Sequence, residues 1–224
     1  MPRAHSISHP VLTIHVVIFT LREGGLHVLL TPCNEPPFEN AWALPGSLMR
    51  MDESLEQTAS RKLEEMTGVV NSYLEQLYTY GEIGRDPRGR VVTVAYFALL
   101  PADAPLCAES SSQARWFPVE RLPELAFDHH EIIAYALRRL RYKLEYTAAG
   151  FELLPETFTL TELQRTYEMI LGEKLDKRNF RRRILEAGII EPTPRLKSGE
   201  GRPARLYRYR ADAVAEVKAR RLFP

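Results

Sequence analysis

The stretch from Leu44 to Val69 constrains the fold of this chain more than any other. A proline-glycine pair interrupts the regular structure before it, and Asp52 or Ser54 can cap a following helix. The apolar residues that then recur at helical spacing are Leu55, Ala59, Leu63 and Met66. The stretch is therefore predicted to form a loop, an amphipathic helix and a second loop that begins at Gly68.

This stretch resembles the Nudix box, a loop-helix-loop that binds Mg²⁺ and cleaves nucleoside diphosphates linked to another group. The family pattern is a glycine, five residues, a glutamate, seven residues, Arg-Glu-apolar, one residue, Glu-Glu, one residue and Gly-apolar. The spacing is kept in full, and the matching residues are Glu53, Arg61, Leu63, Glu65, Gly68 and Val69. Three positions depart from the pattern, because Ser47 replaces the glycine, Lys62 the first helix glutamate and Met66 the last.

These departures bear on the chemistry of the box. Residues at positions i, i+3 and i+4 of a helix can present three carboxylates to one Mg²⁺ ion. Here they are Lys62, Glu65 and Met66, so the formal charge falls from minus three to zero, with an ammonium that repels a divalent ion and a soft thioether. We predict that the fold is kept, that no metal or other cofactor is bound and that the chain is not a hydrolase. A plain amphipathic surface helix is the simpler alternative.

Charge is distributed unevenly along the chain. The net charge is +1 over 224 residues, but residues 1–150 hold 14 Lys and Arg against 18 Asp and Glu, whereas residues 151–224 hold 16 against 11. Between Lys174 and Arg210 there are 12 basic and 4 acidic residues. Such asymmetry is typical of a nucleic-acid-binding module joined to a neutral partner domain, with a solvated charged face as the alternative.

Cysteine usage and hydropathy bear on the compartment. Cys33 and Cys107 are the only cysteines, and neither belongs to a Cys-x-x-Cys pair, so we interpret them as free thiols in a reducing compartment. No apolar run reaches the roughly 20 residues that a membrane span needs, and the start of the chain lacks a signal-peptide core. We therefore expect a cytoplasmic protein without a membrane partner.

A group of arginines follows the box. Arg85, Arg88 and Arg90 lie on a turn shaped by Asp86-Pro87 and Gly89, just before a β-branched strand over 91–100. Planar guanidinium groups suit bidentate recognition of phosphate, so we predict a pyrophosphate anchor here. A hairpin tip with solvated arginines is the alternative. The residues that we predict to bind an effector are Arg85, Arg88, Arg90, Glu53, Glu65 and Arg61.

A long helix is predicted from Asp128, as its cap, to Tyr146, with an apolar stripe that faces the core. The sequence Thr147-Ala148-Ala149-Gly150 ends it. We place the domain boundary there, with residues 1–147 forming the effector-sensing domain and residues 148–224 a second domain.

The second domain is predicted to be a winged helix-turn-helix. Thr159 and Glu162 form a capping box for one helix, and a basic helix follows over 176–187. In projection Phe180, Ile184 and Leu185 face inward, and the residues that face outward are Arg178, Asn179, Arg182 and Arg183. Asparagine reads adenine and arginine reads guanine in the major groove, and the remaining cations suit phosphate.

A basic hairpin follows as the wing. Its tip, Gly201-Arg202-Pro203, is small and carries one arginine, which suits an A·T-rich minor groove. A basic surface hairpin without DNA is the alternative. The residues that we predict to contact DNA are Lys177, Arg178, Asn179, Arg181, Arg182, Arg183, Lys197, Arg202 and Arg205.

The degenerate box, the arginine loop, the long helix and the winged helix together resemble the Nudix-related transcriptional regulators of NAD metabolism, the NrtR family. The resemblance implies an α+β fold, in which a Nudix-like α/β/α sandwich with a mixed sheet precedes the winged helix-turn-helix. It also implies a homodimeric repressor of NAD biosynthesis or salvage genes that releases its double-stranded DNA operator on binding ADP-ribose.

Three alternatives remain. One is a sister-group regulator of sugar catabolism that responds to another effector. Another is an active Mg²⁺-dependent ADP-ribose pyrophosphatase with an accessory DNA-binding domain, which would need a further carboxylate such as Asp103 or Glu109. RNA binding is the third, although the wing lacks the aromatic platform that single-stranded RNA usually requires.

Overall fold

The structure is a computed structural model, and it describes residues 9–103, 113–146, 149–198 and 203–213. The predictions made for Cys107, Glu109 and Arg202 concern residues outside these ranges. The predicted domain boundary, between residues 147 and 148, also lies outside them and stays a prediction.

A mixed sheet forms the centre of the first domain. Its seven strands are β1 (Val11–Arg22), β2 (Gly25–Pro32), β3 (Trp42–Ala43), β4 (Gly46–Leu48), β5 (Tyr73–Tyr80), β6 (Val91–Leu100) and β7 (Arg115–Pro118). The order is β3-β2-β1-β6-β5, with β4 paired to β1 and β7 paired to β2. β1 and β6 run parallel along their length, and the other pairs are antiparallel, so the predicted mixed sheet is confirmed.

The hairpin between β1 and β2 follows from two residues with left-handed backbone. Glu23 has φ +48° and Gly24 has φ +79°, the pattern of a type I′ turn, whose twist matches that of the flanking strands. Leu21 then pairs with Leu26 across the hairpin. The sequence Glu23-Gly24-Gly25 supplies the residues that such a turn requires.

One helix covers each face of the sheet, because side chains alternate along β1. Helix α1 (Leu55–Thr67) packs on the face that carries Ile14, Val16 and Ile18, and helix α2 (His129–Tyr146) on the face that carries Val17, Phe19 and Leu21. Of the two caps proposed for α1, Ser54 is the one used, in a capping box with Gln57, and Gly68 ends the helix at φ +71°. No described helix is long and apolar enough to cross a membrane.

The second domain is the predicted winged helix. It comprises a 3₁₀ helix over Ala149–Leu153, α3 (Leu160–Leu171), α4 (Lys177–Glu186) and the wing strands β8 (Ile190–Lys197) and β9 (Ala204–Tyr209). Thr159 and Glu162 form the predicted capping box of α3, and Gly172 ends that helix at φ +78°. A bridge between Phe158 and Tyr207 ties the wing to the segment before α3.

One inward-facing assignment is wrong. Phe180 and Ile184 are buried, but Leu185 is 49% exposed. Leu185 follows Ile184 by about 100° around the helix, and α4 packs against the domain along a single narrow stripe. At the last turn of α4 that stripe does not extend to the neighbouring position.

The two domains share one hydrophobic core. Leu140 and Leu144 of α2 belong to the same buried cluster as Leu163, Tyr167 and Ile170 of α3. In addition, the Arg141 guanidinium donates from Nε to the Ile170 carbonyl, 2.8 Å away, near the end of α3. Helix α2 is therefore a structural part of both domains.

Leu140→Ala should lower the free energy of unfolding by about 2–5 kcal/mol, because Leu140 is fully buried where α2 meets the second domain and truncation leaves a cavity. Leu185→Ala is the matched control, since the same atoms are removed from a half-exposed position, and it should cost less than about 1 kcal/mol. Urea denaturation followed by circular dichroism measures both values. Equal losses for the two variants would contradict the shared core.

Candidate functional site

The box is organised around the Arg61 guanidinium. Arg61 donates from Nε to Glu53 Oε1 at 2.7 Å and from Nη2 to Glu53 Oε2 at 2.8 Å. It also donates from Nη1 to Glu65 Oε1 at 2.8 Å and from Nη2 to the Ser47 hydroxyl at 3.3 Å. One cation therefore joins the segment before α1 to two successive turns of the helix.

The ion pairs of Arg61 shift the pKa values of the box side chains. Hydrogen bonds from Arg61 are the main cause that lowers the pKa of Glu53 to about 2, and they also lower the pKa of Glu65. The two carboxylates in turn raise the pKa of Arg61. Both carboxylates are therefore ionised at neutral pH, and each is already paired with a cation.

These residues do not fit a Mg²⁺ site. Both oxygens of Glu53 accept from Arg61, and the oxygens of Glu65 accept from Arg61 and, at 3.5 Å, from the Lys62 ammonium. Mg²⁺ needs several oxygen ligands in near-octahedral geometry, and an ammonium next to the site opposes a divalent charge. No cluster of three or more His, Cys, Asp or Glu side chains that could hold a metal occurs among the described residues.

Met66 occupies a different environment from its predicted neighbours. The helical spacing placed Lys62, Glu65 and Met66 at one spot, and Lys62 and Glu65 do contact each other. Met66 is 3% exposed and packs in the core between α1 and the sheet, with Leu63 and Ala59. Its thioether is a packing group, which the loss of charge at this position permits.

Arg85 is held by a carboxylate from the start of α2. Its Nε donates to Asp128 Oδ2 at 2.8 Å and its Nη2 to Oδ1 at 2.5 Å, while Nη1 donates to the Thr93 hydroxyl at 2.6 Å. The Arg85 side chain is 5% exposed. Asp128 precedes α2 as predicted, but its carboxylate is engaged in this pair instead of capping the helix. Effector binding by Arg85 stays a prediction, and its described contacts are structural.

Arg88 is more open and lies against an aromatic ring. It pairs with Asp86 through Nε and Nη2 at 3.0 and 2.8 Å, and with Glu35 through Nη1 at 2.5 Å. Its guanidinium carbon lies 4.9 Å from the centre of the Phe127 ring. These hydrogen bonds lower the pKa of Asp86 and raise that of Arg88. Three loops that are distant in sequence meet at this side chain.

Arg90 differs from Arg85 and Arg88 because its described hydrogen bonds go to backbone carbonyls and not to carboxylates. Its Nη1 donates to the carbonyls of Gly81 and Glu82 at 2.6 and 3.1 Å. Arg90 therefore closes the base of the loop that carries Arg85 and Arg88. Its role in effector binding stays a prediction.

Sequence reasoning missed a pair of histidines next to the box. The rings of His15 and His129 lie 4.8 Å apart, and His129 Nδ1 accepts from the Leu44 backbone N–H at 3.0 Å. A Cβ atom on Gly46 would lie 2.4 Å from the His15 ring, so this close approach requires glycine. Burial is the main cause that lowers the pKa of His15 to about 4, with Arg85 next. The only sequence signal was the strand position of His15.

The exposed face of α4 carries the predicted base-reading residues. Asp176 caps the helix by accepting from the Asn179 backbone N–H at 2.7 Å. Arg178, Asn179 and Arg182 are exposed, and Arg182 Nη2 donates to Asn179 Oδ1 at 3.0 Å. Lys177 is exposed beside them, and Arg183 is half-buried. These exposed side chains make this face of α4 the candidate recognition surface for a major groove.

The other predicted DNA contacts lie on the helix flank and the wing. Arg181 donates to the Thr161 hydroxyl at 3.0 Å, which orients it along α3. Lys197 on β8 forms an ion pair with Glu162 at the start of α3. Arg205 on β9 is exposed. The face of α4 and the wing thus present basic side chains, and their contacts with DNA stay predictions.

Comparison with known proteins identifies the family. The family model for the NUDIX domain matches residues 11–140, and that for the NrtR DNA-binding winged helix domain matches residues 150–209. A protein of Acinetobacter baylyi, named ADPR responsive transcriptional repressor NtrR, is 43% identical over 205 residues, covering 89% of this chain and 82% of its own.

Two crystal structures extend this similarity. Shewanella oneidensis NrtR complexed with a 27mer DNA is 40% identical with a TM-score of 0.82, covering 94% of this chain and 96% of its own. The NUDIX domain of the same protein complexed with ADP ribose is 43% identical with a TM-score of 0.52, covering 60% of this chain and 91% of its own. With both domains matched in order and a relative similar over most of its length, the chain belongs to the NrtR family of Nudix-related transcriptional regulators.

Proposed function

We propose that this protein is a transcriptional repressor that binds a double-stranded DNA operator and releases it when ADP-ribose, or a related nucleotide sugar, binds its Nudix domain. The Acinetobacter baylyi relative is named as an ADPR-responsive repressor, and the Shewanella oneidensis relative has been crystallised with DNA and, as its Nudix domain, with ADP ribose. The observation that carries the proposal is the position of α2. Asp128, immediately before the helix, pairs with Arg85, and the last turns of the helix pack against α3.

Helix α2 gives the two sites a physical connection. A ligand changes DNA affinity only by binding two conformations of the protein unequally. A ligand that competes for Arg85 would disturb its pair with Asp128 at the start of α2, whereas a ligand that competes for Arg88 would disturb its pairs with Asp86 and Glu35. Because α2 shares its core with α3, a shift of α2 would reposition the helix that supports α4.

We further propose that the protein is not a hydrolase. Support comes from the box, in which the carboxylates of Glu53 and Glu65 are paired with Arg61 or Lys62. The last metal-binding position of the family pattern is Met66, which is buried. Membership of a family of regulators favours the same conclusion. The active pyrophosphatase remains the competing function.

Other parts of the proposal rest on the family resemblance. They are the control of NAD biosynthesis or salvage genes, action as a homodimer on a two-fold operator, and location in the cytoplasm, where a DNA-binding regulator acts. A sister-group regulator of sugar catabolism would share the architecture and differ in effector. The effector screen below separates these two regulators.

ADP-ribose should weaken operator binding by roughly 5- to 150-fold, the usual range of coupling between two sites. Fluorescence anisotropy with a labelled operator, titrated at fixed salt, measures the shift. NAD and sugar phosphates serve as comparison ligands, and a response to a sugar phosphate alone would favour the sister-group regulator. An operator affinity that no nucleotide sugar changes would contradict the effector assignment.

Arg178→Ala combined with Arg182→Ala should weaken operator binding and flatten its salt dependence by about one unit for each phosphate group that the variant no longer binds. Arg121→Ala is the control, because Arg121 is an exposed arginine on the Nudix domain. Anisotropy at several salt concentrations gives the slope for each variant. If the double variant keeps the original slope, the DNA interface does not include this face of α4.

The protein incubated with ADP-ribose and Mg²⁺ should release no AMP, since the described part of the box offers no free carboxylate cluster for the metal. Chromatographic separation of the nucleotides provides the measurement, with an active ADP-ribose pyrophosphatase as positive control. AMP release that is abolished by Glu65→Gln would establish the competing enzyme.

A further inference from the structure

The two cations on helix α1, Arg61 and Lys62, differ in how much of their hydrogen-bonding capacity is used. Arg61 has every guanidinium nitrogen engaged, by Glu53, Glu65 and Ser47. Lys62 is different. Its ammonium can donate three hydrogen bonds, and the contact described for it is with Glu65 Oε2 at 3.5 Å, which is long for a charged pair.

Lys62 stands where the family pattern has a metal-binding glutamate, and its charge acts on the buried His15. Ser47, which contacts Arg61, follows Gly46, and Gly46 lies against the His15 ring. The charged groups that act on His15 are Lys62, Arg85, Arg88 and Asp128, and the three cations all lower its pKa. Lys62 therefore acts on the same buried histidine as two cations of the arginine loop.

The balance of charge favours an anion at this place. Within the ion-pair network Arg50, Arg61 and Lys62 stand against the carboxylates of Glu53 and Glu65, so a diphosphate meets a network with a net charge of +1 instead of bare carboxylates. Where the helix carries free carboxylates, a diphosphate needs a divalent ion between them to avoid repulsion. An ammonium removes that requirement because it supplies the positive charge directly.

We propose that Lys62 replaces the divalent cation in this chain, so that its ammonium binds the diphosphate of the effector and no Mg²⁺ is required. The inference rests on the proposed function, because it assumes that the effector carries a diphosphate. The Lys62 side chain is 20% exposed, so most of its surface is already removed from water. Contact with a ligand would therefore cost little additional desolvation. Moving from Glu65 to a phosphate costs one long hydrogen bond and forms a charge-assisted one.

Isothermal titration of the full-length protein with ADP-ribose tests the inference in two ways. The affinity of the wild-type protein should be the same in Mg²⁺ and in EDTA. Lys62→Met should weaken binding by roughly 10- to 100-fold in both buffers, the loss expected for one hydrogen bond between charged groups. Lys62→Glu should weaken binding further in EDTA and recover part of the affinity in Mg²⁺.

Lys174→Met is the matched control, because Lys174 is an exposed lysine of the winged helix that pairs with Glu168, and its replacement should leave ADP-ribose affinity unchanged. Operator binding by Lys62→Met without effector should equal that of the wild-type protein, which separates a defect in ligand binding from misfolding. Wild-type binding that disappears in EDTA, or a Lys62→Met variant with full affinity, would overturn this inference alone. Absence of ADP-ribose binding in both buffers would overturn the effector assignment and the inference together.

Discussion

The Arg61 guanidinium pairs with Glu53 and Glu65, the two glutamates of the box that match the family pattern, and the properties of the Nudix domain depend on that pairing. Glu53 lies in the loop and Glu65 near the end of α1, so one cation fixes the loop to the helix. In this chain the cations of Arg61 and Lys62 pair with both carboxylates. Three further features support the shape of the box without involving Glu53 or Glu65. They are the Ser54 capping box, the end of the helix at Gly68 and the apolar face of α1.

The long helix that follows the sheet is the structural link that we propose between effector binding and DNA binding. Before its first turn Asp128 holds Arg85, and near its other end Arg141 donates to the last turn of α3. Glu35, Asp86 and Phe127 surround Arg88, and Phe127 lies two residues before the first residue of α2. A ligand in that region would therefore contact a segment that leads directly into this helix. In the proposed mechanism, a change in the position of α2 would transmit the signal without rearrangement of the sheet.

Local features of the fold were predictable from sequence because the residues that cause them are adjacent. The Glu23-Gly24 turn, the capping box at Thr159 and the glycine that ends each of α1 and α3 each depend on a few neighbouring positions. The candidate site was predictable only in part. The partner of Arg85 lies 43 residues away in sequence, and the contact between His15 and His129 exists only once β1 and α2 are packed together. Leu185 and Met66 show the same limit, because helical periodicity gives a direction around the axis and the neighbouring elements decide which directions are covered.

The core that α2 shares with α3 has a consequence for the evolution of this architecture. A winged helix with a self-contained core can be fused to many sensors, but here Leu163, Tyr167 and Ile170 are covered by leucines that belong to the sensor. A chimera that exchanged the Nudix domain while keeping the winged helix would have to keep α2 with the winged helix or redesign the hydrophobic core between them. A shared core of this kind requires the two domains to evolve together. New effector and operator specificities should therefore arise by substitutions in loops, with the core between the domains unchanged, instead of by exchange of domains.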